Sequence, residues 1–357
     1  MKSKETLRKG RLVAEVLAGS WRRQPPPLRA ISAAELDEVT PLLYDSGTVA
    51  LGWRCISQTP LRETAAGELL HQAYRLLSLE SELHEQRIQK VFRLLREARI
   101  EAVLAKGWAV AGLYSERALR PYGDIDLCVR PEHFALAREV LRAPEASDCW
   151  VDLHQNFSEI AERSYDELWA RGQLVACGSE QIRVLSGEDQ LALSCIHLLK
   201  HGAWRPLWLC DVGVIIESLP AAFDWEICLG RNETRAHWIK CVIGLAERLL
   251  GVDISALSAP AQGAAPTWLC ENVLKQWAKP FAVNQPPMSH PVPMLDLLRH
   301  PLDLPEGLRQ RWPNPIIATI SVNGKFNNLP RLPYQMANCL ARVGRLLFSS
   351  HGELQEH

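Results

Sequence analysis

The chain has no CxxC pair, although it holds 10 cysteines in 357 residues. They stand at 55, 128, 149, 177, 195, 210, 228, 241, 270 and 339, a spacing that argues against zinc-ribbon and thioredoxin-like motifs. A chain of this length does not need disulfides to supply its core, so mostly buried free thiols in a reducing compartment are expected. Charge of one sign is missing as well. Forty basic residues against 41 acidic ones leave a formal charge of -1, so no overall field draws in duplex nucleic acid or anionic lipid. Long apolar runs are also absent: the most hydrophobic stretch, Leu207 to Ile216, contains Asp211 and falls well short of the roughly twenty residues that cross a bilayer. The opening residues, MKSKETLRKGRLVAEVLAGS, carry charges where a secretory leader needs its apolar stretch. A cytoplasmic protein with no membrane span is therefore expected.

What is present is an ordinary globular composition, 47% hydrophobic and 23% charged, on a length that allows about two or three domains. Hydrophobic period and breakers divide the chain into three regions. Residues 1–98 read as helical, with a basic opening, a break at Pro25-Pro26-Pro27, a short helix after Ser32 and a long one from Leu61 to Ala98. In that long helix, Leu69, Leu70, Ala73, Leu76, Leu77, Leu83, Ile88, Val91, Phe92 and Leu95 follow helical spacing and are expected to be mostly core. Residues 99–187 change texture. The run Ile100 to Ala105 leads into Lys106-Gly107 and a helical stretch through Tyr114. Gly123 to Val129 then alternates as a half-buried strand does. Pro131 opens a helix to Leu141, Cys149 to His154 is a further strand, and Leu174 to Cys177 with Ile182 to Leu185 forms a hairpin around Gly178-Ser179. Residues 188–357 return to helices, over 188–203, 207–218, 233–250, 266–278 and 333–348. The expected fold is α+β, a small mixed sheet flanked by N-terminal and C-terminal helical regions.

The chemistry concentrates in the middle region. Asp124 and Asp126 are two apart on an expected strand and so leave the same face of the sheet. Two carboxylates that close repel, and a divalent cation lets both stay ionised. Hard oxygen ligands of this kind suit Mg²⁺ or Mn²⁺. Asp152 stands between apolar neighbours in the next strand, and strand pairing would bring it to the same site. Upstream, Gly107 follows Lys106 where a strand turns into a helix, which lets phosphate oxygens approach the backbone and the helix start.

This arrangement resembles the nucleotidyltransferase superfamily that includes DNA polymerase beta. The wording is similar to a bacterial branch of it, the nucleotidyltransferase family proteins. There a K-G motif precedes a tyrosine, an arginine and a G-D-I-D-L stretch, matched here by Lys106, Gly107, Tyr114, Arg120 and Gly123 to Leu127, then Val151 to His154. A downstream H-x-x-x-H and W-x-x-D pattern is matched by His197, His201, Trp208 and Asp211. The resemblance covers roughly residues 100 to 215. It implies a nucleotidyltransferase-type sheet and metal-dependent transfer of an NMP group from ATP or another NTP to an acceptor hydroxyl. Asp124, Asp126 and Asp152 would be the metal-binding and catalytic carboxylates, with Asp152 on the base side. Lys106, Gly107, Arg120 and Gly123 would form the nucleotide side. The superfamily commonly has Ser after the glycine, whereas this chain has Trp108.

His154, His197, Lys200, His201 and Asp211 are candidates for the acceptor side, and a satisfied core network is the competing reading for the histidines. A zinc hydrolase site on His197 and His201 lacks the Glu that an HExxH motif needs as base. A non-catalytic nucleotide-binding or regulatory protein on the same fold is the alternative in function. Met336, Cys339, Leu340, Val343, Leu346 and Leu347 form one stripe of an amphipathic C-terminal helix, expected to pack on its own domain rather than on a membrane surface. The 12 tryptophans are scattered and suggest no stacking role over core packing. The acceptor itself, whether small molecule, peptide, protein or RNA end, leaves no mark in the sequence.

Overall fold

Helix starts follow their capping residues. Ser32 caps α2 (Ala33–Ser46) in a reciprocal box with Glu35, and Thr64 caps α4 (Ala65–Glu97). Around these lie α1 (Lys2–Leu17) and α3 (Val49–Ile56). The computed structural model describes residues 2–28, 31–255, 257, 263–280 and 312–349, without the side chains of residue 2 and of residues from 343 onward. The next elements are β1 (Ala102–Ala105), α5 (Gly107–Ala111), β2 (Ile125–Val129), α6 (Phe134–Arg142), β3 (Val151–His154), α7 (Tyr165–Arg171), β4 (Gln173–Cys177) and β5 (Glu180–Val184). Then come α8 (Gly187–Lys200), α9 (Pro206–Glu217), α10 (Trp225–Leu229), α11 (Glu233–Leu250), α12 (Thr267–Trp277), α13 (Pro315–Ser321) and α14 (Leu332–Ser349).

The five strands form one mixed sheet in the order β3-β2-β1-β5-β4. β1 runs antiparallel to β2 and parallel to β5, β3 lies parallel to β2, and β4 and β5 make the expected hairpin. The fold is thus α+β with helices on both sides of the chain's central region. One face of the sheet, through Leu104, Leu127 and Ile182, packs with Val91, Phe92 and Leu95 of α4 and with Ala137 of α6. The other face, through Val103, Ala105 and Cys128, joins a larger core with α1, α8, α9, α11 and α12. N-terminal and C-terminal helices meet there. At Gly10 a Cβ would lie 2.1 Å from the Leu274 carbonyl oxygen, so only glycine admits the approach of α1 to α12.

Several expectations need correction. β2 is buried at all five positions rather than half-buried, because it lies inside the sheet and its polar side is roofed by the helical layer. Asp124 falls one residue before the strand and is exposed. The helix after Gly107 is a single turn that ends at Ala111, not at Tyr114. On α4, Leu70 and Ala73 are core, but Leu69, Leu76 and Leu83 face outward. On α14, Met336 and Leu340 are exposed, Cys339 is partly exposed and Asn338 is buried, so these two apolar residues are not packed; Val343, Leu346 and Leu347 lie outside the described side chains. No described helix is long and apolar enough to cross a membrane. The described cysteines are free, eight of them buried, with Cys55 and Cys339 partly exposed.

Candidate active site

Parallel pairing of β2 with β3 sets Asp126 directly beside Asp152. Side chains at paired positions share a face, and His154, two residues on, joins them there. Asp126 is 4% exposed, whereas Asp152 is exposed at the sheet edge. His154 Nε2 is 3.1 Å from Asp152 Oδ2 and 3.6 Å from Asp126 Oδ1. This nitrogen is shielded from solvent and makes no well-aligned hydrogen bond, but both carboxylates flank it as ion-pair partners. Asp126, Asp152 and His154 each offer a donor within 4.8 Å of the others, and the donor set fits a divalent cation. Asp124 is not in that cluster, and its carboxylate makes no hydrogen bond or ion pair among the described residues.

Lys106 closes the inner side. Its Nζ lies 2.9 Å from Asp126 Oδ1, and its backbone N donates to Gln190 Oε1 at 3.1 Å. The lysine sits at φ 48° and the next residue, Gly107, at φ 28°, a left-handed turn that a β-carbon disfavours. Burial opposes the Asp126 charge, but His154 and Lys106 outweigh it and hold the carboxyl below its ordinary value. Burial also pulls His154 toward neutrality, while Asp126 and Asp152 together hold its pKa above the usual one. Trp108, the residue after the glycine, turns into the core: its Nε1 donates to Glu85 at 3.3 Å and the Arg117 guanidinium stacks 4.3 Å over its ring.

The downstream motif residues separate into two groups. Asp211 accepts from Arg120 Nη2 at 2.8 Å, from Arg120 Nε at 3.1 Å and from the Tyr114 hydroxyl at 2.8 Å, all buried. The guanidinium of Arg120 is thereby taken up by Asp211. The second group lies on α8 and α9. His197 Nδ1 is 3.1 Å from Glu159 Oε1, and its ring meets His201 at 4.5 Å and the edge of Trp208 at 4.8 Å. Lys200 Nζ donates to Ser158 Oγ at 2.9 Å. Burial lowers the His197 pKa, and Glu159, with His197, Lys106 and Lys200 nearby, is held well below the carboxylate range despite its own burial. Glu159 was invisible in the sequence: it sits in a single 3-10 turn, Ser158–Ile160, and no local pattern distinguishes it.

A cavity of about 20 Å³ lies between the two groups, lined by Lys106, Arg120, Ser194, His197, Trp208 and Asp211 among others, and Lys106 alone of its lining residues contacts Asp126. It has room for about one water molecule. Gly123, exposed with no atom within 4 Å of a would-be Cβ, lies just outside it in sequence, ahead of Asp124. His201 and Asp211 belong to no metal-ligating cluster among the described residues.

A family model described as an uncharacterised nucleotidyltransferase matches residues 32–237, from the start of α2 into α11. No curated protein and no solved structure matches the chain.

Proposed function

The chain belongs to this uncharacterised nucleotidyltransferase family, and on that premise we propose that it is a metal-dependent enzyme moving an NMP group from an NTP to an acceptor hydroxyl. The observation that carries the proposal is the convergence of Asp126, Asp152 and His154, whose donor atoms lie within 4.8 Å of one another. These three side chains would hold the cation. The imidazole makes the donor set a mixed nitrogen and oxygen one, which suits a first-row ion such as Mn²⁺ better than Mg²⁺. When bound, a divalent ion supplies charge neutralisation for the triphosphate and for the leaving pyrophosphate.

In this reading the chain's own residues divide the work. Lys106 presents a point charge to the phosphates from the turn at Gly107, and Gly123 keeps the approach to β2 open. Arg120, fixed by Asp211, frames the cavity wall. Asp124 is the outer carboxylate at the mouth. The acceptor oxygen attacks the α-phosphorus, the new P–O bond forms as the bond to the bridging oxygen breaks, and pyrophosphate leaves with its electron pair. The hydroxyl proton goes to Asp152, the exposed carboxylate at the sheet edge. His197, its Nδ1 fixed by Glu159, lies with Lys200 and His201 on the acceptor side.

The test supplies purified protein with each labelled NTP, Mg²⁺ or Mn²⁺, and fractionated cell extract. Label retained in one fraction, with pyrophosphate released and both lost in Asp126→Asn, is the expected result. Nucleotide binding that depends on Asp126 without pyrophosphate release leaves a binding protein. Binding unchanged by Asp126→Asn rejects the site.

A further inference from the structure

Helix α4 buries Leu70, Ala73, Ile88, Val91, Phe92 and Leu95. Leu69, Leu76, Leu79 and Leu83 are 50, 62, 66 and 51% exposed. At about 100° per residue these four fall within an arc of roughly 80°, some 115° around the helix from the core direction. Their spacing of seven, three and four residues is that of a and d positions in a heptad. With Leu69, Leu76 and Leu83 at a and Leu79 at d, the flanking e and g positions hold Arg75, Glu80, Glu82 and Arg87. Arg75, Glu80 and Glu82 form no ion pair among the described residues, and Arg87 has only a long, solvent-exposed contact to Asp148, 3.8 Å away.

We infer that this stripe is the seam of a homodimer in which α4 packs parallel and in register against α4 of a second copy. Charge complementarity selects that occupant. In a parallel pair each g position faces the e position of the next heptad on the other helix. Arg75 then meets Glu80 of the partner subunit, and Glu82 meets Arg87 of the partner subunit. All four flanking charges find the opposite sign, twice over by symmetry. An antiparallel seam that stacks Leu76 on Leu79 leaves Glu80 and Arg87 facing alanines. The inference stands independently of the nucleotidyl chemistry.

Sedimentation equilibrium of the full chain at micromolar concentration tests it. The expected mass is twice that of the chain. Leu76→Glu with Leu79→Glu gives a monomer whose far-UV circular dichroism is unchanged, since both positions are exposed, and whose urea midpoint, unlike that of the wild type, does not depend on protein concentration. Glu80→Arg alone raises the dimer dissociation constant by roughly tenfold, as expected for two symmetry-related exposed pairs, and adding Arg75→Glu restores it. Leu76→Cys forms an intersubunit disulfide under mild oxidation only if the helices are parallel. A monomeric wild type, or a dimer indifferent to the double leucine change, overturns the inference. A dimer in which Leu76→Cys does not cross-link overturns the parallel register.

Discussion

Replacing Arg120 by methionine strands a buried carboxylate. Arg120 and Asp211 side chains are 7 and 4% exposed and lie 2.8 Å apart, with a second guanidinium contact at 3.1 Å and the Tyr114 hydroxyl at 2.8 Å. Removing one member of such a pair costs about 3–5 kcal/mol, because the other charge stays buried with too few partners. Exchanging both for apolar residues of similar volume is often close to neutral. Arg120→Met is therefore expected to lose about 3–5 kcal/mol, Asp211→Leu a comparable amount, and the double variant less than about 2 kcal/mol. Four urea unfolding curves measure the cycle. A loss below about 1 kcal/mol in Arg120→Met, or a double variant as unstable as the sum of the singles, refutes the reasoning. The double variant also separates scaffold from chemistry: if it folds but no longer binds NTP, Arg120 contacts phosphate as well.

Three further outcomes follow from the geometry. His154→Ala lowers Mn²⁺ affinity by about tenfold or more in calorimetric titration and affects Mg²⁺ less; equal losses for both ions reject the imidazole as a ligand. The folded pKa of His197 is depressed below 6.5 and that of Glu159 below 4.5, so in both cases the unfolded chain binds more protons and stability falls on acidification, first below about pH 6.5 and again below about pH 4.5. Glu159→Gln makes the second decline shallower without removing it, since Asp126 is depressed as well, and a pH profile of the urea midpoint identical to that of the wild type contradicts this assignment. Gly10→Ala forces a methyl group against the Leu274 carbonyl and is expected to cost about 1–3 kcal/mol in urea unfolding, whereas a neutral result excludes the close α1 to α12 packing.

Much of the site was legible because strand period and motif order are local. Asp126, Asp152 and His154 alternate with apolar residues, and once β2 and β3 pair, alternation alone brings them together. The start of β2 was not legible, since it depends on where the ladder with β3 begins, and that leaves Asp124 outside the strand. Alternation also reports one polar face without reporting what covers it, so β2 reads as half-buried while α8 and the 3-10 turn at Glu159 roof it. Arg120, Tyr114 and Asp211 stood out as residues, but their mutual pairing spans about ninety positions and no short window contains it. The leucines of α4 show the same limit: helical spacing marks apolar positions, and only packing decides that Leu70 goes inside and Leu76 stays out.

The 33 residues of α4 make a rod of about 50 Å. Its first half lends Ala66, Leu70 and Ala73 to the large helical core, and its second half lends Ile88, Val91, Phe92 and Leu95 to the layer under the sheet. A splint anchored at both ends ties the fates of the two. Neither layer can melt while the other keeps the rod straight, so heat or denaturant meets one cooperative unit, and amide protons along both halves of the rod should open together.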